Sequence, residues 1–246
     1  MKKILLITAI LLVTFSLVVC NQIRNNDSSQ NDSSTVENST DQSSENTSKN
    51  NNASNENKVN SSGSNVLIAY FTLPEAVDDD SDTVSSASIV KTEDRIVGST
   101  EYIAKMIQNS IGGTLFEIET EKQYSKEHDP LVDEAAQEQE ENARPKLSSK
   151  VENMDSYDII FIGYPIWWGD LPMPLYTFLE EYDLSGKTIV PFCTHGGSRL
   201  SNTDNTIADL QKDATVIHDA LAISRSDVAV TEQEEVDRWL ESINLK

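Results

Sequence analysis

Unbroken runs of apolar residues recur from residue 65 onward and are separated by longer mixed segments. Strands that are buried on both faces of a parallel sheet have this composition. The runs that predict such strands are 65–71 (NVLIAYF), 159–162 (IIFI) and 188–193 (TIVPFC). Two other segments predict edge strands: 114–120 alternates apolar and polar residues, and 215–217 with 221–223 forms an interrupted strand.

Amphipathic segments between these runs predict helices. The first helix follows Gly98, with Ser99 or Thr100 as its capping residue, and the glycine pair at 112–113 ends it. The last helix begins at a capping box over 231–234. The helices predicted between them cover 131–143, the segment that starts at prolines 172 and 174, and 202–211.

Strands that alternate with helices form a largely parallel sheet with right-handed crossovers. Because the second and fifth strands look like edges, the predicted order is 2-1-3-4-5, in an α/β three-layer sandwich with a five-stranded parallel sheet. Pro191 is unusual in the fourth strand, since a proline cannot donate to the ladder. In this order, successive strands are added toward one edge of the sheet up to strand two and toward the other edge from strand three onward. The switch point lies between strands one and three, and ligands bind there at the carboxyl ends of the strands.

The first 64 residues differ in kind from the predicted domain, 65–246. Residues 1–20 combine a basic start with an apolar run, which predicts a secretory signal peptide, or alternatively an uncleaved membrane anchor. Residues 17–20 (LVVC) resemble the lipobox of bacterial lipoproteins. That resemblance implies lipidation of Cys20 and anchoring to the outside of the cell membrane. The Asn/Ser-rich segment 21–64 is too polar to fold and is predicted to be a disordered tether.

Charge and cysteine content narrow the possible partners. A formal net charge of −22 argues against nucleic acid and against an anionic lipid surface. Contact with the membrane is therefore expected only through the lipid anchor. The chain has 2 cysteines, Cys20 and Cys193. We expect no disulfide, and we interpret Cys193 as a small buried hydrophobe rather than a redox thiol.

Two loops carry candidate chemistry. Trp167 and Trp168 directly follow the predicted central strand, where two large rings would line a flat aromatic ligand, or alternatively cover the core. Gly98, Ser99 and Thr100 open the first helix, with Thr72 after the first strand. A helix N-terminus with small hydroxyl residues suits a phosphate, although an ordinary capped helix would have the same sequence. A polar insertion of about two dozen residues, counted along the sequence, separates Thr72 from Gly98.

These motifs, taken in order, resemble the flavodoxin family, specifically bacterial flavodoxin-like proteins with YPIWWG and THGGS loops. The matching stretches are VLIAYFT, GSTEYIA, EHD, ARP, YDIIFIGYPIWWGDLP and SGKTIVPFCTHGGS. Together they span nearly the whole segment 65–246. The resemblance implies a flavodoxin-like fold that binds flavin mononucleotide (FMN) and either carries electrons or reduces small acceptors.

The resemblance also assigns residues to three flavin loops. The phosphate loop would contain Thr72, Gly98, Ser99 and Thr100. The ring would lie against Pro165, Ile166, Trp167, Trp168 and Gly169. The third loop would contain Thr194, His195, Gly196, Gly197 and Ser198, where paired glycines allow close approach of the backbone.

A secondary group, Tyr124, His128 and Arg144, is expected near the open face of the flavin. Arg144 would hold an anionic acceptor, or alternatively pair with a surface carboxylate. His195 would hydrogen-bond the pyrimidine end of the flavin, or alternatively orient its own loop.

The expected function is extracytoplasmic electron transfer by an FMN-binding lipoprotein with an unidentified redox partner. One alternative is an FMN-dependent reductase of quinones or other small acceptors, with His195, Tyr124 and Arg144 as candidate catalytic residues. A second alternative, from a different class, is a flavin-free surface binding module on the same fold. The chain shows no nicotinamide-binding fingerprint, so the sequence names no electron donor.

Overall fold

The computed structural model describes residues 65–74 and 88–246. The predicted signal peptide, Cys20 and the tether lie outside the described residues, as does most of the predicted insertion. Among the residues that are described, no helix is long and apolar enough to cross a membrane.

The described chain alternates strands and helices, apart from one short hairpin near its start. In chain order the elements are β1 (Val66–Tyr70), β2 (Ile89–Lys91), β3 (Ile96–Gly98), α1 (Ser99–Ile111), β4 (Thr114–Glu117), α2 (His128–Glu140), β5 (Ile159–Pro165), α3 (Met173–Glu181), β6 (Thr188–His195), α4 (Thr203–Leu210), β7 (Thr215–Val216), β8 (Leu221–Ser224) and α5 (Gln233–Ser242). Two short 3-10 helices, Met154–Ser156 and Val228–Val230, precede β5 and α5.

The main sheet is parallel and has the order β4-β1-β5-β6, with β7 and β8 both paired to β6. The predicted order 2-1-3-4-5 is confirmed when β7 and β8 are taken as the two pieces of the fifth strand. The sheet therefore contains six strands rather than five. A separate antiparallel hairpin, β2–β3, forms within the segment predicted to be a polar insertion. Strands of three residues are too short to show a pattern among polar neighbours.

The interruption of the fifth strand explains how Pro191 fits in a central strand. Lys187 and Ile189 accept backbone hydrogen bonds from Thr215 and Ile217. Successive odd-numbered residues of β6 thus face this edge, and Pro191 is the next one. It lies opposite the gap between β7 and β8. The missing N–H of proline therefore falls where the ladder is already broken.

Both faces of the sheet are apolar because alternate residues of each strand enter different cores. In β1, Val66, Ile68 and Tyr70 face α1 and α5. Leu67 and Ala69 face α2, α3 and α4 on the other side. This double burial is the reason that β1 and β5 appear in the sequence as unbroken apolar runs.

Several predicted boundaries and caps are wrong. Gly98, not Ser99 or Thr100, is the N-cap of α1, and no side chain caps that helix. The predicted capping box does not form, since α5 starts after Glu232 and the Thr231 hydroxyl donates to the Asp227 carbonyl.

Other ends shift because tertiary contacts decide them. The helix predicted over 131–143 begins at His128 and ends at Glu140. Strand β4 ends at Glu117 rather than at residue 120, because the backbone of residues 119–121 turns to pair with residues 146–148.

We predict that Gly163→Ala destabilises the protein by about 1–3 kcal/mol through overpacking. Gly163 lies in β5 opposite Phe192, and a Cβ there would overlap the phenyl ring. Urea denaturation of the protein measures the loss. The double variant Gly163→Ala/Phe192→Leu should lose less than the sum of the single losses, because the smaller side chain makes room. Additive losses would show that the ring is not the obstacle.

Candidate functional site

An open pocket of about 310 Å³ lies at the carboxyl ends of the central strands. Its wall comes from the segments after β1, β5, β6 and β8, from the start of α1, from α2 and from Ser88. The residues that line it are Thr72, Leu73, Ser88, Thr100, His128, Leu131, Val132, Ala135, Pro165, Ile166, Trp167, Trp168, Thr194, His195, Gly196 and Arg225. It is thus the crevice that the strand order predicts.

The predicted phosphate loop is assembled from distant segments. Gly98 packs so closely on Thr72 that a Cβ at residue 98 would overlap the Thr72 hydroxyl oxygen. The β2–β3 hairpin makes this contact possible, since it pairs Ile89 with Gly98 and returns the chain to the end of β1. The insertion therefore does not remove Thr72 from the phosphate loop, and Thr72 and Thr100 both line the pocket.

The start of α1 has polar groups that suit an anion. Ser99 is 1% exposed, and its Oγ has no hydrogen-bond partner among the described residues. A buried hydroxyl without a partner costs about 1–3 kcal/mol, which a phosphate oxygen would offset. The Ser99 amide is bonded to the Ser88 carbonyl at 2.9 Å. The next two amides have no partner within the helix and remain for a ligand.

Thr100 connects this helix start to the third predicted loop. Its hydroxyl lies 3.1 Å from that of Thr194, at the end of β6. Both residues are buried and both line the pocket. The hydroxyl pair therefore joins two of the predicted flavin loops directly.

The tryptophan loop is a tight two-residue turn. Trp167 and Asp170 exchange backbone hydrogen bonds of 3.0 and 2.9 Å. Trp168 and Gly169 between them have φ values of 49° and 77°, as a type I′ turn requires. A positive φ is costly for a side chain as large as tryptophan, and such strain is concentrated at functional sites.

The two tryptophans have different surroundings. Trp168 is 59% exposed, and its indole N–H donates to the Val132 carbonyl at 3.0 Å, which fixes the ring at the pocket rim. Trp167 packs edge-on against Phe71 and Tyr124, with ring centroids 5.4 and 5.7 Å away. Trp167 therefore serves both the core and the pocket wall, whereas Trp168 belongs to the wall alone.

His195 orients the glycine loop. Its Nδ1 accepts the Gly197 N–H at 3.0 Å, so the ring proton of the neutral form is on Nε2. Burial, and then the nearby Arg199, lower the pKa of His195, while Asp227 and a hydrogen bond with the Ala222 backbone oppose this shift. His195 also lines the pocket. Of its two predicted roles, the contact with Gly197 supports the orienting one.

Arg144 and Tyr124 do not line the pocket. Arg144 makes a two-pronged ion pair with Glu180, both N–O distances being 2.7 Å, and stacks on the Tyr176 ring. These contacts support the alternative interpretation of Arg144, a surface arginine paired with a carboxylate. Tyr124 is buried, and its hydroxyl donates to Glu138 at 2.8 Å.

The other predicted residues are placed as follows. His128 lines the pocket, whereas Gly98, Ser99, Gly169, Gly197 and Ser198 do not reach its wall. Cys193 is buried, and burial raises the pKa of its thiol to about 12. It is a packing residue, as the sequence predicted.

The sequence analysis missed Arg225 and Ser88. Arg225 directly follows β8 at the carboxyl edge of the sheet, so the rule that places ligands at strand ends would have found it. Ser88 precedes a hairpin that the sequence did not reveal. The pocket wall also includes one face of α2, formed by Leu131, Val132 and Ala135. The sequence analysis did not identify this apolar face, because most other residues of α2 are polar or acidic.

The parallel sheet, the helix N-terminus and the aromatic-walled pocket define an α/β protein that binds a ligand where its strand order reverses. The family model described as Flavodoxin matches residues 92–243. The chain belongs to the flavodoxin family. That membership supports the expectation of FMN as its cofactor. The matched range begins inside the hairpin and does not include β1 or Thr72.

Solved structures similar to this chain include two candidate flavoproteins. One, from Bacteroides eggerthii DSM 20697, is 27% identical and has a TM-score of 0.55. The match covers 75% of this chain and 100% of that chain. The other, from Bacteroides uniformis ATCC 8492, is 25% identical and has a TM-score of 0.54. The match covers 73% of this chain and 99% of that chain.

A flavoprotein in complex with FMN, from Lactobacillus acidophilus NCFM, is 20% identical, with a TM-score of 0.49 over 72% of this chain and 99% of its own. No curated protein matches the chain.

We predict that His195 makes the protein less stable in mild acid. Because its pKa is lower in the folded state than its ordinary value of 6.5, the unfolded state binds the proton more tightly. The stabilisation is complete above the ordinary value and is lost as pH falls through the folded-state pKa. His195→Asn keeps an oxygen acceptor for Gly197 and should flatten this part of the pH profile.

Denaturation midpoints between pH 7.5 and 5.5 measure the effect. The control is His218→Asn, at a surface histidine that pairs with Asp204 and does not line the pocket. An unchanged pH profile in His195→Asn would contradict the lowered folded-state pKa of His195.

Proposed function

We propose that this protein binds one FMN in the pocket and works as an electron carrier outside the cytoplasmic membrane. The observation that carries the proposal is the meeting of three loops, far apart along the chain, in one crevice. Thr72 and Thr100, the tryptophan turn, and Thr194 with Gly196 line the same pocket. Family membership supports the choice of ligand.

The start of α1 would hold the phosphate. The Thr72 and Thr100 hydroxyls line the pocket and can donate hydrogen bonds, as can the amides of the first turn that have no partner within the helix. The Ser99 hydroxyl lies behind this wall, 1% exposed and without a partner among the described residues, and would donate to the phosphate from there. No lysine or arginine is needed there, because the helix dipole favours a negative charge at its N-terminus. The fixed contact of Gly98 with Thr72 would hold these donors in position without a ligand.

The two aromatic rings and the glycine loop would enclose the flavin ring. Trp168 is held by Val132 and Trp167 by two neighbouring rings, so neither needs to be ordered on binding. His195 holds the glycine loop through Gly197. Bound FMN would supply reversible uptake of electrons, and the protein would supply binding, orientation and a suitable electrostatic environment.

The contacts favour a carrier over a reductase of small acceptors. The candidates for binding or protonating an acceptor were Arg144, Tyr124 and His195. Arg144 and Tyr124 are paired with carboxylates away from the pocket, and His195 is engaged with Gly197. Steady-state turnover with reduced nicotinamide and a panel of quinones would contradict the carrier role.

Location outside the membrane is proposed from the sequence of residues 1–64. A signal peptide, a lipidated Cys20 and a polar tether would hold the FMN domain near the membrane. Growth of the cells with labelled palmitate should label the unaltered protein and not Cys20→Ser. Absence of label in the unaltered protein would favour an uncleaved anchor instead.

FMN binding is tested by titrating the purified protein into FMN and following flavin fluorescence. We expect quenching that saturates at one FMN per chain at micromolar concentrations. Absence of quenching would overturn the proposal and favour the flavin-free binding module.

We predict that Ser99→Ala lowers FMN affinity about tenfold and leaves riboflavin affinity unchanged. A hydrogen bond to a charged group contributes about 1.5–3 kcal/mol, and ~1.4 kcal/mol is a factor of ten. The free energy of unfolding of the flavin-free variant should stay constant or rise, because the change removes a buried hydroxyl without a partner.

The matched control for Ser99→Ala is Ser110→Ala, on the same helix. Ser110 donates to Asp237 and to the Met106 carbonyl. Its loss should destabilise the protein and leave FMN affinity unchanged. Equal losses for FMN and riboflavin in Ser99→Ala would contradict a phosphate role.

We predict that both Trp167→Ala and Trp168→Ala weaken FMN binding at least tenfold. Aromatic stacking contributes about 0.5–1.5 kcal/mol beyond burial, and burial adds more. The two variants should differ in the melting temperature of the flavin-free protein. Trp167→Ala should lower it, since the ring packs on Phe71 and Tyr124, whereas Trp168→Ala should change it little.

The control for these variants is Trp239→Ala in α5. Trp239 packs on Phe161 in the other core, so its loss should lower stability without affecting FMN affinity in the folded protein. A loss of FMN affinity below threefold in both pocket variants would show that the tryptophan turn is a core element only.

A further inference from the structure

We infer that Arg225 determines the redox potential of this pocket by stabilising negative charge on the ring of the bound ligand. The inference rests on the proposed binding of FMN and goes beyond it, because it assigns a residue that the flavin loops do not include. It is argued from position, charge and the distance to the phosphate end.

Arg225 is anchored at the pocket edge. Its backbone N–H donates to the His195 carbonyl at 2.8 Å, directly after β8. Its guanidinium lies across Gly196, with Cζ, Nε and Nη1 at 3.6, 3.7 and 3.9 Å from the position of a Cβ on that glycine. Gly196 has no side chain to separate the cation from the pocket, which both residues line.

The charge of Arg225 is unlike that of the rest of the pocket wall. Among the described lining residues, it is the one that carries a positive charge at any physiological pH. The chain as a whole carries a formal net charge of −22. A single guanidinium in a cleft therefore opposes a field that otherwise disfavours an anionic ligand.

The ring, rather than the phosphate, is the partner that the contact with Gly196 favours. The guanidinium lies across Gly196, on the loop that is expected to approach the ring. Of the phosphate donors, Thr72 follows β1, three strand spacings or about 14 Å from the end of β8. Thr100 lies nearer, because its hydroxyl meets Thr194 at the end of β6, so the comparison of FMN with riboflavin below is the test that separates the two partners.

The electrostatic consequence follows from charge balance. A flavin ring that takes up two electrons and one proton gains one negative charge. A nearby guanidinium stabilises that product more than the neutral oxidised ring. Arg225 should therefore raise the two-electron midpoint potential of the bound flavin and tighten binding of the reduced form selectively.

The test compares Arg225→Gln with the unaltered protein. We expect reduced flavin to lose about tenfold more affinity than oxidised flavin. That ratio lowers the two-electron midpoint potential by about 30 mV. Equilibration with a redox dye of known potential measures it, once for FMN and once for riboflavin. Both ligands should show the same shift, because both have the ring.

Three comparisons make the result specific. Arg225→Lys keeps the charge and should retain most of the potential. Arg225→Met keeps the unbranched stem and replaces the Gln variant if that protein does not fold. Arg238→Gln makes the same charge change at an exposed position of α5, outside the pocket lining, and should leave the potential unchanged.

Each contrary outcome has its own meaning. If Arg225→Gln weakens FMN but not riboflavin, the residue binds phosphate and the ring assignment is wrong. Arg225 has no specific role if its replacement changes the ratio of reduced-flavin to oxidised-flavin affinity by less than threefold. The same holds if Arg238→Gln shifts the midpoint potential equally. If the unaltered protein binds no FMN, the proposed function itself fails, which is a separate result.

Discussion

The β1–β5–β6 ladder, buried on both faces, is the constraint on which the rest of the structure depends. Each of these strands places alternate side chains into two separate cores, so neither layer of helices can be removed without exposing the sheet. The ladder also fixes the register of the strand ends. Thr72, the tryptophan turn and the glycine loop follow strands that are neighbours in the sheet, and their proximity is a consequence of strand pairing rather than of loop sequence.

Close packing of glycines allows the loops to meet. Gly163 leaves room for the Phe192 ring to pack over β5, and Gly98 lets the start of α1 contact Thr72. The second contact also depends on the β2–β3 hairpin, whose backbone pairing returns the chain to the end of β1. An insertion that seemed in the sequence to interrupt the phosphate loop therefore closes it.

The pocket combines an acidic protein with anion-binding groups, and it does so without a cluster of basic residues. At the start of α1 the donors are amides and hydroxyls, one of which, on Ser99, is buried and has no partner among the described residues. Elsewhere in the wall the positive charge comes from Arg225. Arg144, the cation that the sequence analysis placed near the flavin, pairs with Glu180 and lies away from the pocket.

The sequence by itself determined the strand order and the central position of β5, because double burial leaves unbroken apolar runs. The rule that ligands bind at strand ends gave the position of the pocket, and the family resemblance assigned most of the predicted lining residues. Tertiary structure alone decided what depends on contacts between distant residues. The sequence could not show that Gly98 caps α1 or that Arg144 meets Glu180, since both depend on spatial neighbours.

The same holds for the β2–β3 hairpin, for the differing surroundings of Trp167 and Trp168, and for the place of Pro191. Each of these depends on which backbone or side chain lies opposite in space. The amino-acid composition of a segment does not indicate which distant residue will lie opposite it.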